Sequence, residues 1–248
     1  MRQKKTLDVS IVMPAYRQEK FVVQNLTSLE KVLKKMGADY EIICVVDGHG
    51  DKTYKNAQKI KSNHLVLLGY PDNQGKGYAV RYGMSKAKGN IIGFVDSGGI
   101  DYSMLPMMYQ HFLWYDADVV IGSKRHPASE IIYPWYRSLV SFGYQVGVKL
   151  LFGLNVRDTQ VGMKLFKRKV VLKILPKLLV KQFAFDIEML SLANYFGFTK
   201  IFEVPVKIKY DFRGASVLMS KGFLKMAFNM AWDTLAIWYR LYLRHYYV

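Results

Sequence analysis

Short runs of Val and Ile alternate with amphipathic stretches through the first half of the chain. Residues 8–14, 41–47, 64–69, 90–96 and 118–122 are brief, rich in β-branched side chains and bounded by Gly, Pro or Asp, which predicts buried strands. Between the first two runs, Phe21, Val22, Leu26, Leu29, Val32, Leu33 and Met36 recur at i, i+3/i+4 spacing, the apolar face of one helix. Further helices are expected at 54–60, 78–88 and 103–115. This β-α-β-α order predicts an α/β fold with a mostly parallel central sheet flanked by helices. The second half is less regular: helices at 138–151 and 185–196, then a strand at 201–210. From Ser216, one or two amphipathic helices of Met, Phe, Trp, Tyr and Leu carry Lys221, Lys225, Arg240 and Arg244. The pattern divides the chain into a main domain, 1–215, and an amphipathic helical segment, 216–248. In open sheets of this kind ligands bind beyond the carboxyl ends of the strands. The polar stretches at 14–19, 47–51 and 96–101 lie there.

Composition narrows the function. With 248 residues, 51% of them apolar, the chain can bury a real core. A net charge of +17 favours anionic partners: nucleic acid, phosphorylated small molecules or an acidic membrane surface. No RNA-recognition, KH or zinc-finger pattern supports nucleic acid. The single cysteine, Cys44, excludes a disulfide framework and a thiolate zinc cluster, and the five histidines show no ligand spacing. Residues 1–6 are basic but run straight into a strand, so no signal peptide is expected. No stretch of about 18 uncharged apolar residues is present to span a bilayer. The expectation is a cytoplasmic protein, peripheral on the cytoplasmic face of a membrane.

Several segments can carry chemistry. Asn73-Gln74-Gly75-Lys76-Gly77 precedes a helix with Arg81; its glycines allow close approach to a ligand, and a helix N-terminus favours an anion. It lacks the P-loop spacing. Asp96, at a strand end before Ser97-Gly98-Gly99-Ile100-Asp101, is placed to hold Mg²⁺ or Mn²⁺, which take oxygen ligands. Asp116-Ala117-Asp118 has D-x-D spacing but precedes its strand, on the wrong edge of the sheet, and reads as structural. Ser123-Lys124-Arg125-His126 follows the fifth strand and brings cations to the ligand edge. No G-x-S-x-G or Cys–His pattern suggests a hydrolase.

In order, these segments resemble the family 2 inverting glycosyltransferases of the GT-A fold, and within them the enzymes that transfer hexose to dolichyl or polyprenyl phosphate. Val12-Met13-Pro14-Ala15-Tyr16 resembles the opening I-P-A-Y-N-E-E, residues 41–53 resemble E-I-I-V-V-D-D-G-S-T-D-G-T, and NQGKGYAVRYG (73–83) resembles N-x-G-K-G-x-A-V-R-x-G. RDTQVGMKLF (157–166) and FAFDIEML (183–190) are similar to stretches of the dolichyl-phosphate glucosyltransferases. The resemblance implies a hexosyl donor, UDP-glucose before GDP-mannose, a lipid phosphate acceptor and a divalent cation. It implies a nucleotide pocket of Pro14, Ala15, Tyr16, Gln18, Asp47, Lys76 and Arg81. Asp96 and Asp101 would hold Mg²⁺ or Mn²⁺, and Asp96, Asp186, Glu188 and Arg125 would be catalytic. Lys124, Arg137, Asp158, Gln160, Arg213 and Ser216 would serve the acceptor and its phosphate. Gly98 replaces the second Asp of D-x-D, Val46 the first Asp of D-D-G, and Gln18 the first acid of Y-N-E-E. Many relatives also carry transmembrane helices with no counterpart in these residues. Two other readings stay open: the same donor with a soluble or polysaccharide acceptor, which needs Asp186 or Glu188 as a general base, and a non-catalytic nucleotide-sugar-binding protein.

Overall fold

Strands β1 (Val9–Ala15), β2 (Tyr40–Asp47), β3 (Leu65–Tyr70), β4 (Ile91–Val95) and β5 (Val119–Ser123) fall on the predicted runs. The computed structural model describes residues 7–132, 135–209 and 221–247, and of 132, 135–142, 209 and 221–227 the backbone alone. The helices of the first half are α1 (Val22–Lys34), α2 (Thr53–Ala57), α3 (Lys76–Lys86) and α4 (Leu105–Tyr115). α2 stops at Ala57, short of the expected residue 60, and Gln58, Lys59 and Ile60 continue in hydrogen-bonded turns.

The expected strand at 201–210 is divided. β8 (Ile201–Pro205) joins the main sheet, whereas β9 (Lys207–Lys209) pairs with β6 (Glu130–Ile132) in a two-stranded parallel sheet. Pro205, which has no N–H to donate, closes β8. Helices α5 (Trp135–Phe152), α6 (Arg168–Ile174), α7 (Phe185–Tyr195) and α8 (Lys221–Trp238) follow, with 3₁₀ turns at Tyr102–Met104 and Leu175–Lys177 and a π turn at Tyr239–Leu243.

One strand has no counterpart in the sequence reading. β7 (Met163–Lys167) runs antiparallel between β4 and β5, giving the order β3-β2-β1-β4-β7-β5-β8. Its residues alternate, Met163 and Leu165 to one side and Lys164 and Phe166 to the other, and both sides are buried. A lysine on a core face hides the strand from a hydrophobicity pattern.

Two cores sit on the two faces of the sheet. Val12, Val45, Phe94, Ile121 and Phe166 face α3, α6, α7 and α8; Ile11, Met13, Cys44, Val95 and Leu165 face α1 and α4. Ile237, Leu241 and Tyr247 place α8 and the turn after it in the first core, against α7. If β7 is a central strand, truncating its buried aromatic must be costly. Phe166→Ala should destabilise the fold by about 3–5 kcal/mol in urea unfolding; an unchanged midpoint would mean that residues 163–167 lie outside the core.

Candidate functional site

The carboxyl ends of β1, β2 and β4 open onto a cleft of about 800 Å³. Pro14, Ala15, Tyr16 and Gln18 form one wall, Asp47, Asn73, Gly75 and Lys76 another, and Asp96 to Gly99 the floor; Gln182 and Phe183 lean in from the segment before α7. Asp47 ends β2 and is 3% exposed. Its carboxylate accepts from Asn73 Nδ2 at 2.8 Å, the Gln74 amide at 2.7 Å and the Gly75 amide at 3.0 Å. Asp47 therefore holds the loop that starts α3. Gly75 has φ +99°, and a Cβ there would meet the Lys181 carbonyl at 2.6 Å, so no other residue fits without strain.

Behind the floor lies a chain of alternating charges. Strand parity puts Phe94, Asp96 and Lys164 on the face that α3 and α7 cover. Lys76 Nζ, at the start of α3, is 2.6 Å from Asp96 Oδ1 and 3.8 Å from Asp186 Oδ2. Asp186 also accepts from Lys164, whose ammonium is wholly buried and donates to the Val161 carbonyl at 2.6 Å. Burial lowers the pKa of Lys164, and the Asp186 carboxylate opposes that shift. The Phe94 ring lies under both ammonium groups, 5.7 Å from Lys76 Nζ and 5.4 Å from Lys164 Nζ. Asp96 alone in this chain is substantially open, its side chain 33% exposed. The backbone of Gly162 passes so close to Asp96 that a Cβ would lie 1.9 Å from Oδ2. Among the described residues no group of three or more His, Cys, Asp and Glu is gathered for a metal. The arrangement instead fits an ion that takes one carboxylate and fills its shell with water and a ligand's phosphate oxygens, as Mg²⁺ does.

The structure brings Pro14, Ala15, Tyr16, Gln18, Asp47, Lys76 and Asp96 to one cleft. It places several other sequence candidates elsewhere. Asp101 does not line the cleft; its carboxylate accepts from the Ser103 amide at 2.8 Å and caps a short 3₁₀ turn. Arg81 points away and donates to the Leu178 carbonyl at 2.6 Å. Asp186 is 2% exposed and tied to Lys164 and Lys76, so it is not poised as a base facing the cleft. Glu188 is fully buried and accepts from the Leu179 and Val180 amides and from Tyr247; burial raises its pKa above the usual carboxylate range, and these hydrogen bonds oppose the rise.

Asp158 accepts from the Lys124 and Gln160 amides, with Lys124 Nζ at 3.6 Å, and so clamps its own loop. Arg125 lines a second cavity of about 720 Å³ with His126, Lys149, Arg157 and Glu203, which shares no lining residue with the first. The Arg137 side chain, Arg213 and Ser216 lie outside the described residues. Asp116 and Asp118 pair with Lys167, Lys200 and Lys169 at the opposite edge, as structural residues should. Lys164 and Phe183 lie within the stretches 157–166 and 183–190 but carry no assigned role from the sequence, and Gln182 lies outside every motif. Only the buried-strand setting of Lys164 marks it.

The profile of the family described as Glycosyl transferase family 2 matches residues 10–175, more than half of the chain. The chain belongs to glycosyl transferase family 2. Among family members, a dolichyl-phosphate beta-glucosyltransferase of Drosophila melanogaster is 32% identical over 206 residues, covering 76% of this chain and 63% of the relative. One of Dictyostelium discoideum is 29% identical, covering 93% and 76%. This chain thus spans less than two-thirds of the fly relative's length. Glucosyl-3-phosphoglycerate synthase from Mycobacterium tuberculosis, solved with Mn²⁺, UDP-glucose and phosphoglyceric acid, matches with a TM-score of 0.70 at 16% identity, over 94% of this chain and 80% of that one. That likeness establishes the GT-A fold.

The charge chain makes a direct prediction about stability. Asp186→Asn leaves the Lys164 ammonium buried beside an uncharged amide and should cost about 3 kcal/mol or more in urea unfolding. Asp96→Asn, at the exposed end, should cost within about 1 kcal/mol. Equal losses would mean that the buried pair does not anchor the site.

Proposed function

We propose that this chain transfers glucose from UDP-glucose to dolichyl or polyprenyl phosphate, with inversion at the anomeric carbon. The carrying observation is the state of the carboxylates. Asp47 and Asp96, the acids of the cleft, are engaged by the 73–75 loop and by Lys76, and the two acids suited to base catalysis, Asp186 and Glu188, are buried in hydrogen bonds. A hydroxyl acceptor needs a poised base. A phosphate monoester has a second pKa near about 6 and is already an anionic nucleophile at neutral pH. The site therefore favours a phosphate acceptor over a sugar hydroxyl. The names of the fly and slime-mould relatives support the same acceptor and glucose rather than mannose.

In this reading Pro14, Ala15, Tyr16, Gln18 and Asn73 frame the nucleoside, and Lys76 and Asp96 serve the diphosphate. Asp96 would hold Mg²⁺ or Mn²⁺, which neutralises charge developing on the leaving diphosphate. Lys76 supplies a cation at the same place and steadies Asp96 in the absence of donor. Arg125, in its cation-lined cavity, is assigned to the acceptor phosphate, with Arg137, Arg213 and Ser216 as further candidates.

The lipid acceptor fits a surface on α8 and its continuation. Phe228, Trp232, Leu235, Tyr239, Leu243 and Tyr246 are all exposed and recur at near-helical spacing, with Arg244 and His245 exposed beside them. No described helix is long and apolar enough to cross a membrane. The reading is a protein that lies on the cytoplasmic leaflet, whose negative potential suits a net charge of +17. With polyprenyl phosphate and Mg²⁺ or Mn²⁺, label from UDP-glucose should enter organic-extractable lipid, label from GDP-mannose should not, and Asp96→Ala should lower the rate by about 100-fold or more. Folded protein that yields no labelled lipid, or an Asp96→Ala variant with unchanged turnover, would refute the assignment.

A further inference from the structure

Tyr247 is 1% exposed and is the largest wholly buried side chain among the described residues. It follows the π turn at Tyr239–Leu243, and the Tyr246 amide donates back to the Arg240 carbonyl at 2.9 Å, which fixes the turn. Its hydroxyl donates to Glu188 Oε1 at 2.6 Å. The same carboxylate accepts from the Leu179 amide at 3.0 Å and the Val180 amide at 2.9 Å. Burial works against the Glu188 charge, and these donors stabilise it, with a smaller contribution from the Arg240 charge.

The chain then runs from Val180 into Lys181, whose carbonyl accepts from the Gly77 amide at 2.8 Å and the Tyr78 amide at 3.2 Å in the first turn of α3. Gln182 and Phe183, the next residues, line the cleft beside Gly75 and Lys76. Residues 179–183 are therefore held on one side by Glu188 and Tyr247 and on the other by the turn that presents Lys76.

We propose that Tyr247 is a positioning residue of the donor cleft. Its hydroxyl fixes the Glu188 carboxylate on the 179 and 180 amides and so sets Gln182 and Phe183 against the Gly75–Lys76 turn. A residue remote in sequence from every cleft motif thereby tunes donor binding, an inference that rests on reading the cleft as the nucleotide-sugar site.

Tyr247→Phe keeps the ring and removes the hydroxyl. In the full chain, KM for UDP-glucose should rise about tenfold, the scale of one hydrogen bond to a charged group, while kcat and the KM for lipid phosphate stay within about twofold. Amide hydrogen exchange should quicken at Leu179, Val180, Gly77 and Tyr78 and stay unchanged in β1 and β4. An unchanged donor KM, or faster exchange spread evenly over the sheet, would overturn the proposal. If neither protein turns over UDP-glucose, the functional reading fails, and the exchange pattern alone decides whether Tyr247 holds this segment.

Discussion

A lysine ammonium wholly enclosed on the core face of a sheet has to be paired, because an isolated charge there would cost several kcal/mol. Asp186 supplies the pair to Lys164, and the rest of the site is ordered by that contact. With one oxygen committed to Lys164, Asp186 presents the other toward Lys76, and Lys76 reaches Asp96 at the cleft floor. Charge alternates from the closed interior to the third-exposed carboxylate. The helices that carry this chain, α3 and α7, are set by apolar packing on the same face. An ion pair of this kind is poor evidence of stability, since a hydrophobic replacement often serves as well. Its presence is better explained by what stands at its open end.

The second constraint is the grip of Asp47 on residues 73–75. Three donors on one carboxylate leave the loop little freedom, so Lys76 enters α3 at a defined place. Residues 179–183 close the arrangement from the other side. The cleft thus arrives with its polar groups already oriented, which lowers the ordering cost of binding a ligand there. The two cavities differ in charge: the cleft sets Lys76 beside Asp47 and Asp96, whereas the second gathers Arg125, Lys149 and Arg157 around Glu203.

Much of this was legible in the chain. The Val/Ile runs gave five strands of the sheet, and the rule that ligands bind beyond their carboxyl ends located Pro14–Tyr16, Asp47, Lys76 and Asp96 together. Position relative to a strand also separated Asp96 from the Asp116-Ala117-Asp118 decoy. β7 was not legible, because Lys164 breaks the apolar code of a central strand for an electrostatic reason that appears only when Asp186 arrives from α7. For Asp186 and Glu188 the motif FAFDIEML showed acids without showing burial; both turn inward because α7 is enclosed on almost every side. Asp101 was chosen by spacing alone, and local capping of Ser103 claimed it. Tyr247 had no sequence signal, since a tyrosine among exposed aromatics reads like its neighbours.

The central claim is that the donor's diphosphate sits at the Lys76–Asp96 pair. A crystal structure of the protein soaked with UDP-glucose and Mn²⁺ tests it most directly. The account predicts the nucleotide between the Pro14–Tyr16 wall and the Asn73–Lys76 loop, with its diphosphate at Asp96. A nucleotide bound in the Arg125 cavity, or a cleft still closed by an intact Lys76–Asp96 pair at saturating donor, would contradict it.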